Sequence, residues 1–293
     1  EHGVSVANSK GVKQPTIAYC QLPTANCQLI DMDWKLIVSG AVIGLLVGFT
    51  GVGGGALMTP ILLLVFGIAP MAAVGTDLWF AAMTKLFATP VHQRHGLIDW
   101  QVVKRLWTGS LTASVLTLTW LHFNPIDEDS VHLLKGAVAI TVIFTAIAML
   151  FQKQLHALGR TNRITSGVQF KAVQGPLTIA AGAFLGILVT FTSVGAGALG
   201  AVFLVYLYPL RLTPPRLIAT DIVHAIPLAI FAGTGHLLLG NVDSSLLGNL
   251  LLGSVPAVIV GALLSARLPH AYLRIALVIV LLAAGGKLFW TLL

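Results

Sequence analysis

Charged side chains are scarce in this sequence. Asp, Glu, Lys and Arg together make up 9% of the 293 residues, whereas hydrophobic residues make up 56%. A soluble globular domain carries about 25% charged residues, so this composition excludes an ordinary soluble fold. Long stretches of alternating polar and apolar residues are also missing, which argues against an outer-membrane barrel. Helices that satisfy their own backbone polar groups are the remaining way to span a membrane.

Cysteine is nearly absent, and so are the motifs of common hydrolases. Only Cys20 and Cys27 occur, either as two unrelated thiols or as a disulfide in a non-cytoplasmic tail. Because the apolar segments lack cysteines and clustered histidines, a transition-metal carrier is disfavoured, and we expect no metal and no cofactor. The His-Glu-x-x-His and Gly-x-Ser-x-Gly motifs are missing as well, so the sequence predicts no enzyme.

The net charge of +7 has a membrane explanation. In a soluble protein such an excess of positive charge would suggest a nucleic-acid partner. Here the Lys and Arg residues lie mostly in short loops between apolar segments, where the positive-inside rule places them. We therefore expect the lipid bilayer, and no nucleic acid, to surround this chain.

Polar and apolar stretches divide the chain into four parts. Residues 1–33 are polar and predict an extramembrane tail. Residues 34–151 and 174–293 are apolar and long enough for several spans of about 20 residues each. Residues 152–173 are rich in Lys and Arg and predict a cytoplasmic linker between the two membrane regions.

The second membrane region repeats landmarks of the first. The stretch from Gly44 to Leu57 matches the stretch from Gly186 to Leu199, at an offset of 142 residues. Shared apolar composition does not explain glycine and polar landmarks that recur in one order. We therefore predict an internal duplication, which is the usual construction of secondary transporters. Later pairs share an offset of 144 residues: Thr76 and Thr220, Asp77 and Asp221, Gly109 and Gly253, Ser110 and Ser254.

Each repeat opens with an apolar block that is too long for one span. A helix of about 33 residues would measure roughly 50 Å, against a hydrocarbon core of about 30 Å. Glycines fall at the middle of both blocks, and each destabilises a helix interior by about 1 kcal/mol. They either permit close helix packing or interrupt the helix, so that free N–H groups face a polar cavity. The residues concerned are Thr50, Gly51, Gly53, Gly54, Gly55, Thr192, Ser193, Gly195 and Gly197.

The relative orientation of the repeats depends on whether each glycine-broken block crosses the membrane or returns. If each block returns to its own side, each repeat crosses an odd number of times and the repeats are inverted. With the distant Lys10 and Lys13 set aside, the returning block leaves more Lys and Arg inside. The sequence therefore predicts an all-α polytopic membrane protein with two inverted repeats, each opening with a glycine-broken helical hairpin.

Four ionisable residues lie inside the predicted membrane segments. Burying such a group without a partner is expensive, so each one is a site candidate. Structural ion pairing or helix capping is the alternative for the aspartates. Asp77 and Lys85 are about two helical turns apart, and Asp221 and His224 are about one turn apart, so each pair shares a helix face.

The glycine run and the first buried aspartate resemble the sulfite exporter TauE/SafE family. The resemblance rests on the run from Gly48 to Gly55, the stretch from Ala73 to Asp77, and Thr220-Asp221 in the second half. It covers about residues 35–293. It implies a polytopic transporter of the bacterial inner membrane for sulfur-containing anions, such as sulfite or organosulfonates, with export as its direction.

The combined interpretation is a secondary transporter that holds a small anion between the two glycine breaks. The break residues named above and Lys85 would line the site, because N–H groups, hydroxyls and ammonium are donors and suit an anion. Asp77, Asp221 or His224 would couple protons, since burial favours the uncharged form of a carboxyl group. The alternatives are a passive anion channel and a non-transporting assembly or sensor protein of the inner membrane. The N-terminal tail is expected in the periplasm.

Overall fold

The chain is an assembly of apolar helices, which confirms the predicted all-α membrane fold. Within the described residues it forms eleven helices and one two-stranded hairpin. The computed structural model describes residues 16–21, 26–50, 55–92, 97–124, 128–165, 167–265 and 270–292. Four described segments are long and apolar enough to cross a membrane: Ser130–Leu150, Lys171–Thr192, Pro214–Leu238 and Ser244–Leu264.

The N-terminal tail contains a hairpin that the sequence analysis did not predict. Strand β1 (Thr16–Gln21) pairs with β2 (Asn26–Asp31) in antiparallel fashion. The register places Cys20 opposite Cys27. Directly opposed residues in such a ladder have Cα separations that a disulfide can bridge, so the backbone is compatible with that alternative.

The first predicted repeat contains five helices. The Asp99 side chain caps the helix that begins at Trp100 by accepting a hydrogen bond from Val102 N at 3.3 Å. The five helices are α1 (Trp34–Thr50), α2 (Gly55–Leu64), α3 (Pro70–His92), α4 (Trp100–Phe123) and α5 (Glu128–Leu150).

The remaining helices begin inside the predicted linker. The helix from Gln152 to Thr165 is short and polar on one side, as expected of a helix at a membrane surface rather than within it. The next helix starts at Gly167, before the predicted second membrane region, and continues into that region. These helices are α6 (Gln152–Thr165), α7 (Gly167–Thr192), α8 (Ala198–Leu207), α9 (Pro214–Leu238), α10 (Ser244–Ser265) and α11 (His270–Trp290).

Small residues let α1 pack closely along α10, and α4 along α7. A methyl group added at Gly44 would lie 2.6 Å from the Ser254 carbonyl oxygen, and one added at Gly186 would overlap the Ser110 carbonyl. Glycine is therefore required where these helix backbones meet. The close-packing alternative thus applies to glycines that precede the predicted breaks.

The contacts recur in pairs across the two predicted repeats. The Asp99 N–H donates to Thr220 Oγ1 at 3.1 Å, and the Asp243 N–H donates to Thr76 Oγ1 at 3.2 Å. Asp99 and Asp243, like Thr76 and Thr220, are separated by the predicted offset of 144 residues. The paired contacts support the internal duplication, which stays a prediction.

Equivalent helices of the two predicted repeats run in opposite directions. In the contact between α3 and α9, Gly75 lies against His236, whereas Leu78 lies further along α3 against the earlier Gly233. Helices α5 and α11 are antiparallel in the same way, because Gly136 lies against Leu292 while Gly285 lies against the middle of α5. An inverted duplication requires these directions. Inversion across the membrane stays a prediction that they support.

Candidate functional site

The second glycine-broken block contains a real interruption of the helix. Helix α7 ends at Thr192 and α8 begins at Ala198, with residues 193–197 non-helical between them. Three residues there have positive φ values: Ser193 at 57°, Gly195 at 114° and Gly197 at 124°. At the two largest values a Cβ atom is strongly disfavoured, so glycine is needed. The predicted break is therefore confirmed in this block.

In the first block, the predicted break lies between two described helices. Helix α1 ends at Thr50 and α2 begins at Gly55. The predicted site residues Gly51, Gly53 and Gly54 lie outside the described residues, as do the side chain of Thr50 and the surroundings of Gly55. Their proposed contacts to an anion stay a prediction.

Thr59 of helix α2 contacts the carboxyl group of Asp77. Thr59 donates from both its backbone N–H, at 3.2 Å, and its hydroxyl group to Asp77 Oδ2. Asp77 is fully buried, and its second oxygen, Oδ1, has no hydrogen-bond partner among the described residues. The Ser193 hydroxyl from the second break lies close to this carboxyl group, and it too lacks a hydrogen-bond partner in the described structure. Asp77 therefore lies between the first block and the second.

Lys85 links α3 to the second break. Its Nζ donates to the Ala196 carbonyl oxygen at 2.7 Å, although the two residues are 111 positions apart in the chain. Only 2% of the residue is exposed. Its ammonium group is within electrostatic range of both Asp221 and Asp77. Lys85 thus reaches the second break and interacts with two buried carboxyl groups, and its predicted contact with an anion stays a prediction.

Helix α9 supplies the second carboxyl group and a histidine. Asp221 Oδ1 packs against Gly200 of α8 so closely that a Cβ at that position would overlap it. This oxygen has no hydrogen-bond partner among the described residues. His224 lies one turn further on, and its Nε2 is 3.0 Å from the hydroxyl oxygen of Ser110. The His224 Nδ1 atom is buried without a partner in the described structure.

Thr192 is placed differently from the other predicted lining residues. Its hydroxyl group donates to the Leu188 carbonyl at 2.7 Å and accepts from Val194 N at 3.2 Å. The Thr192 hydroxyl group therefore forms hydrogen bonds with the backbone at the end of α7. Ser193 is the residue of this break whose hydroxyl group lies close to the Asp77 carboxyl group.

We call the buried residues around Lys85 the central cluster. Sequence reasoning missed Thr59, Ser110 and Gly200 as parts of it. A buried hydroxyl and a glycine in apolar helices give no local signal of such contacts, although Ser110 was a landmark of the repeat. The central cluster consists of Thr59, Asp77, Lys85, Ser110, Ser193, Gly200, Asp221 and His224.

The central cluster is symmetric in its carboxyl groups and asymmetric in its cation. Asp77 and Asp221 are related by the offset of 144 residues, whereas Ala229 stands at the position equivalent to Lys85. Phe80 likewise stands at the position equivalent to His224. One ammonium group therefore serves two carboxyl groups, and it points to the second break.

Known proteins are similar to this chain over most of its length. A family model described as Sulfite exporter TauE/SafE matches residues 36–288. A Bacillus subtilis protein named probable membrane transporter protein YjnA is 37% identical over 218 residues, which cover 73% of this chain and 83% of that protein. A second B. subtilis protein, probable membrane transporter protein YdhB, is 28% identical over 206 residues, covering 70% of this chain and 79% of that protein. No solved structure shows a significant match to the chain.

Proposed function

The chain belongs to the sulfite exporter TauE/SafE family, and from this membership we propose that it is a secondary transporter of a small sulfur-containing anion. Membership makes it a multi-pass membrane protein of a transporter family. Sulfite or an organosulfonate is the proposed substrate class, and export across the bacterial inner membrane is the proposed direction.

The observation that carries this proposal is the contact between Lys85 Nζ and the Ala196 carbonyl at the second break. A buried ammonium that donates to a neutral carbonyl can exchange this partner for an oxyanion, which accepts a stronger, charge-assisted hydrogen bond. The break precedes the N-terminus of α8, where the helix dipole also favours negative charge. The hydroxyl group of Ser193 would be a further donor.

Two carboxyl groups against one ammonium explain why protons would accompany the anion. With both carboxyl groups ionised, Lys85 balances only one of the two charges. An anion bound to Lys85 would remove even this balance, so Asp77 or Asp221 would take up a proton when substrate binds. A divalent oxyanion that moves with one proton carries net negative charge. An inside-negative membrane potential drives such a charge outward, by about 2.3 kcal/mol per 100 mV.

The proposed topology follows from the helix directions and the basic linker. Each broken block, α1 with α2 and α7 with α8, would return to its own side of the membrane. Residues 152–173 would then be cytoplasmic and the tail 1–33 periplasmic. With Cys20 and Cys27 replaced by serine, membrane-impermeant labelling of single cysteines placed at Lys153 and Leu210 should modify both from the same side. Labelling from opposite sides would contradict the returning hairpin.

The decisive test is anion flux in proteoliposomes containing the purified full-length protein. We expect saturable sulfite or sulfonate flux, and we expect a proton gradient in the same direction as the anion to drive that flux uphill. Flux that only follows the anion gradient would indicate a passive channel. Absence of any flux or anion binding, with properly folded protein, would indicate an assembly or sensor role. Binding of a divalent cation at the central cluster would overturn the assignment.

A further inference from the structure

A second polar site lies away from the central cluster, at the end of the molecule where α7 begins and α8 ends. It is a cavity of about 320 Å³. The loop from α8 to α9 closes one side, and the first turns of α7 close another. The cavity is lined by Lys171, Gln174, Tyr208, Pro209, Leu210 and Arg211.

The floor of this cavity is held by hydrogen bonds around Tyr208. Tyr208 is 1% exposed, and its hydroxyl accepts from Arg105 Nη1 at 3.3 Å and bonds to Thr178 Oγ1 at 2.8 Å. The side-chain amide of Gln174 donates to the Leu207 carbonyl. These contacts join α4, α7 and α8, so the floor is positioned by three helices rather than by a loose surface loop.

Arg211 forms a fixed wall. Its guanidinium group makes a bidentate ion pair with Asp99, through Nε to Oδ2 and through Nη2 to Oδ1 at 2.8 Å. The same Nη2 donates to Gln101 Oε1 at 2.9 Å, and the guanidinium carbon lies 5.9 Å from the centre of the Tyr208 ring. Arg211 is therefore pre-organised on the cavity wall, and its charge is balanced by Asp99.

Lys171 and Arg105 leave an excess of positive charge at the cavity. Among the described residues, the one ion pair at this end is that of Arg211 with Asp99, and neither Lys171 nor Arg105 is paired with a carboxylate. Helix α6 packs against the same end, with its Gly159 on the Tyr206 backbone, and its sequence carries no acidic residue. Positive charge therefore exceeds negative charge around the cavity.

We propose that this cavity binds an oxyanion group of the phosphate or sulfonate type, as a second anion site separate from the central cluster. Lys171 would supply the unbalanced charge, and the guanidinium group of Arg211 would add directional donors. Arg105, which contacts the hydroxyl group of Tyr208, would add positive charge from outside the cavity lining. The predicted internal symmetry does not produce this site. At the offset of 144 residues, the positions equivalent to Arg105 and Arg211 are Asn249 and Gly67, and Lys171 lies in the linker outside both predicted repeats.

Two sources can provide this chemistry. One is the headgroup of an anionic phospholipid, because α6 is a basic amphipathic helix of the kind that lies at a membrane surface. The other is a free oxyanion from solution. The proposal is independent of the central cluster, since none of its residues contributes there.

The test uses the purified full-length protein and its Lys171→Gln variant. Phosphate and methanesulfonate are titrated in neutral detergent, and binding is followed by the shift in thermal unfolding. Phosphatidylglycerol retention is measured by native mass spectrometry after extraction from nanodiscs of phosphatidylcholine with or without phosphatidylglycerol. Lys104→Gln is the matched control, because Lys104 is an exposed lysine of α4 that does not line the cavity.

We expect Lys171→Gln to weaken binding about tenfold or more, as expected for the loss of one charge-assisted contact. Lys104→Gln should leave binding unchanged. Loss confined to phosphate and methanesulfonate identifies a free oxyanion, and loss confined to phosphatidylglycerol identifies the lipid headgroup. Leu210→Trp, which fills the cavity without changing charge, should lose binding in the same way. Equal binding by both lysine variants, or no binding by the unsubstituted protein, would overturn the proposal.

Discussion

Replacing Lys85 by methionine removes the buried cation on which the proposed function depends. Methionine is also unbranched and flexible, so it fills the space of the lysine stem without the ammonium group. The change leaves the Ala196 carbonyl without its donor. Lys85 is the one Lys or Arg among the buried side chains of the described residues, so no neighbouring cation replaces it.

The expected cost follows from what remains buried. A hydrogen bond from a charged donor contributes about 1.5–3 kcal/mol, and removing one partner of a buried ion pair costs about 3–5 kcal/mol. Protonation of Asp77 or Asp221 relieves part of this cost. We therefore expect Lys85→Met to lower the free energy of unfolding by about 3 kcal/mol. Adding Asp221→Asn restores charge balance and should recover about half of the loss.

The assay separates stability from anion binding. Thermal unfolding of the purified variants in one detergent should show a lower midpoint for Lys85→Met and a partial recovery for the double variant. Sulfite binding and flux should be absent from both, because neither has the ammonium group. Lys35→Met, at an exposed lysine of α1, is the control and should match the original protein. Sulfite flux that persists in the double variant would refute the role of Lys85 in holding the anion.

Three further predictions follow from the same site. Gly200→Ala places a Cβ against Asp221 Oδ1 and should lower the free energy of unfolding by about 1–3 kcal/mol. The control Gly286→Ala adds a Cβ in open space and should not lower it, and thermal unfolding of both variants checks this. Gly197→Ala forces a side chain onto a φ of 124° and should cost about 1–3 kcal/mol, with reduced flux in proteoliposomes. Sulfite affinity, measured by isothermal calorimetry, should rise as the pH falls, because proton uptake by the central cluster accompanies anion binding. Asp77→Asn should weaken the dependence of sulfite affinity on pH. In the original protein, an affinity that decreases as the pH is lowered would contradict coupled binding.

The glycines of the broken blocks serve two different purposes, and the sequence offered these as alternatives. Gly44 and Gly186 permit backbone contact between neighbouring helices, where a methyl group would overlap a carbonyl oxygen. Gly195 and Gly197 permit positive φ values within the break. The break is confirmed at Gly195 and Gly197, whereas close packing occurs at Gly44 and Gly186, which lie outside the predicted break. Sequence spacing could not separate them because the same residue type satisfies both constraints.

Composition and local pattern determined the membrane class of this protein and the place of the helix interruption between α7 and α8. A shortage of charge is a property of the whole chain, and a glycine cluster acts on the backbone next to it, so neither depends on distant contacts. The same is true of Asp77 and Asp221 as candidates, because a carboxyl group in an apolar segment is conspicuous wherever the segment packs.

Only the tertiary structure decided which partners these residues have. Thr59 binds Asp77, Gly200 makes room for Asp221, and Lys85 reaches the Ala196 carbonyl. These contacts join helices far apart in the sequence, and they depend on how whole helices cross and how far each is rotated. A local window of sequence contains the periodicity of its own helix but no information on the face of another helix that it will meet. Packing between segments that are distant in the sequence likewise determines the helix directions and the basic cavity beside Tyr208.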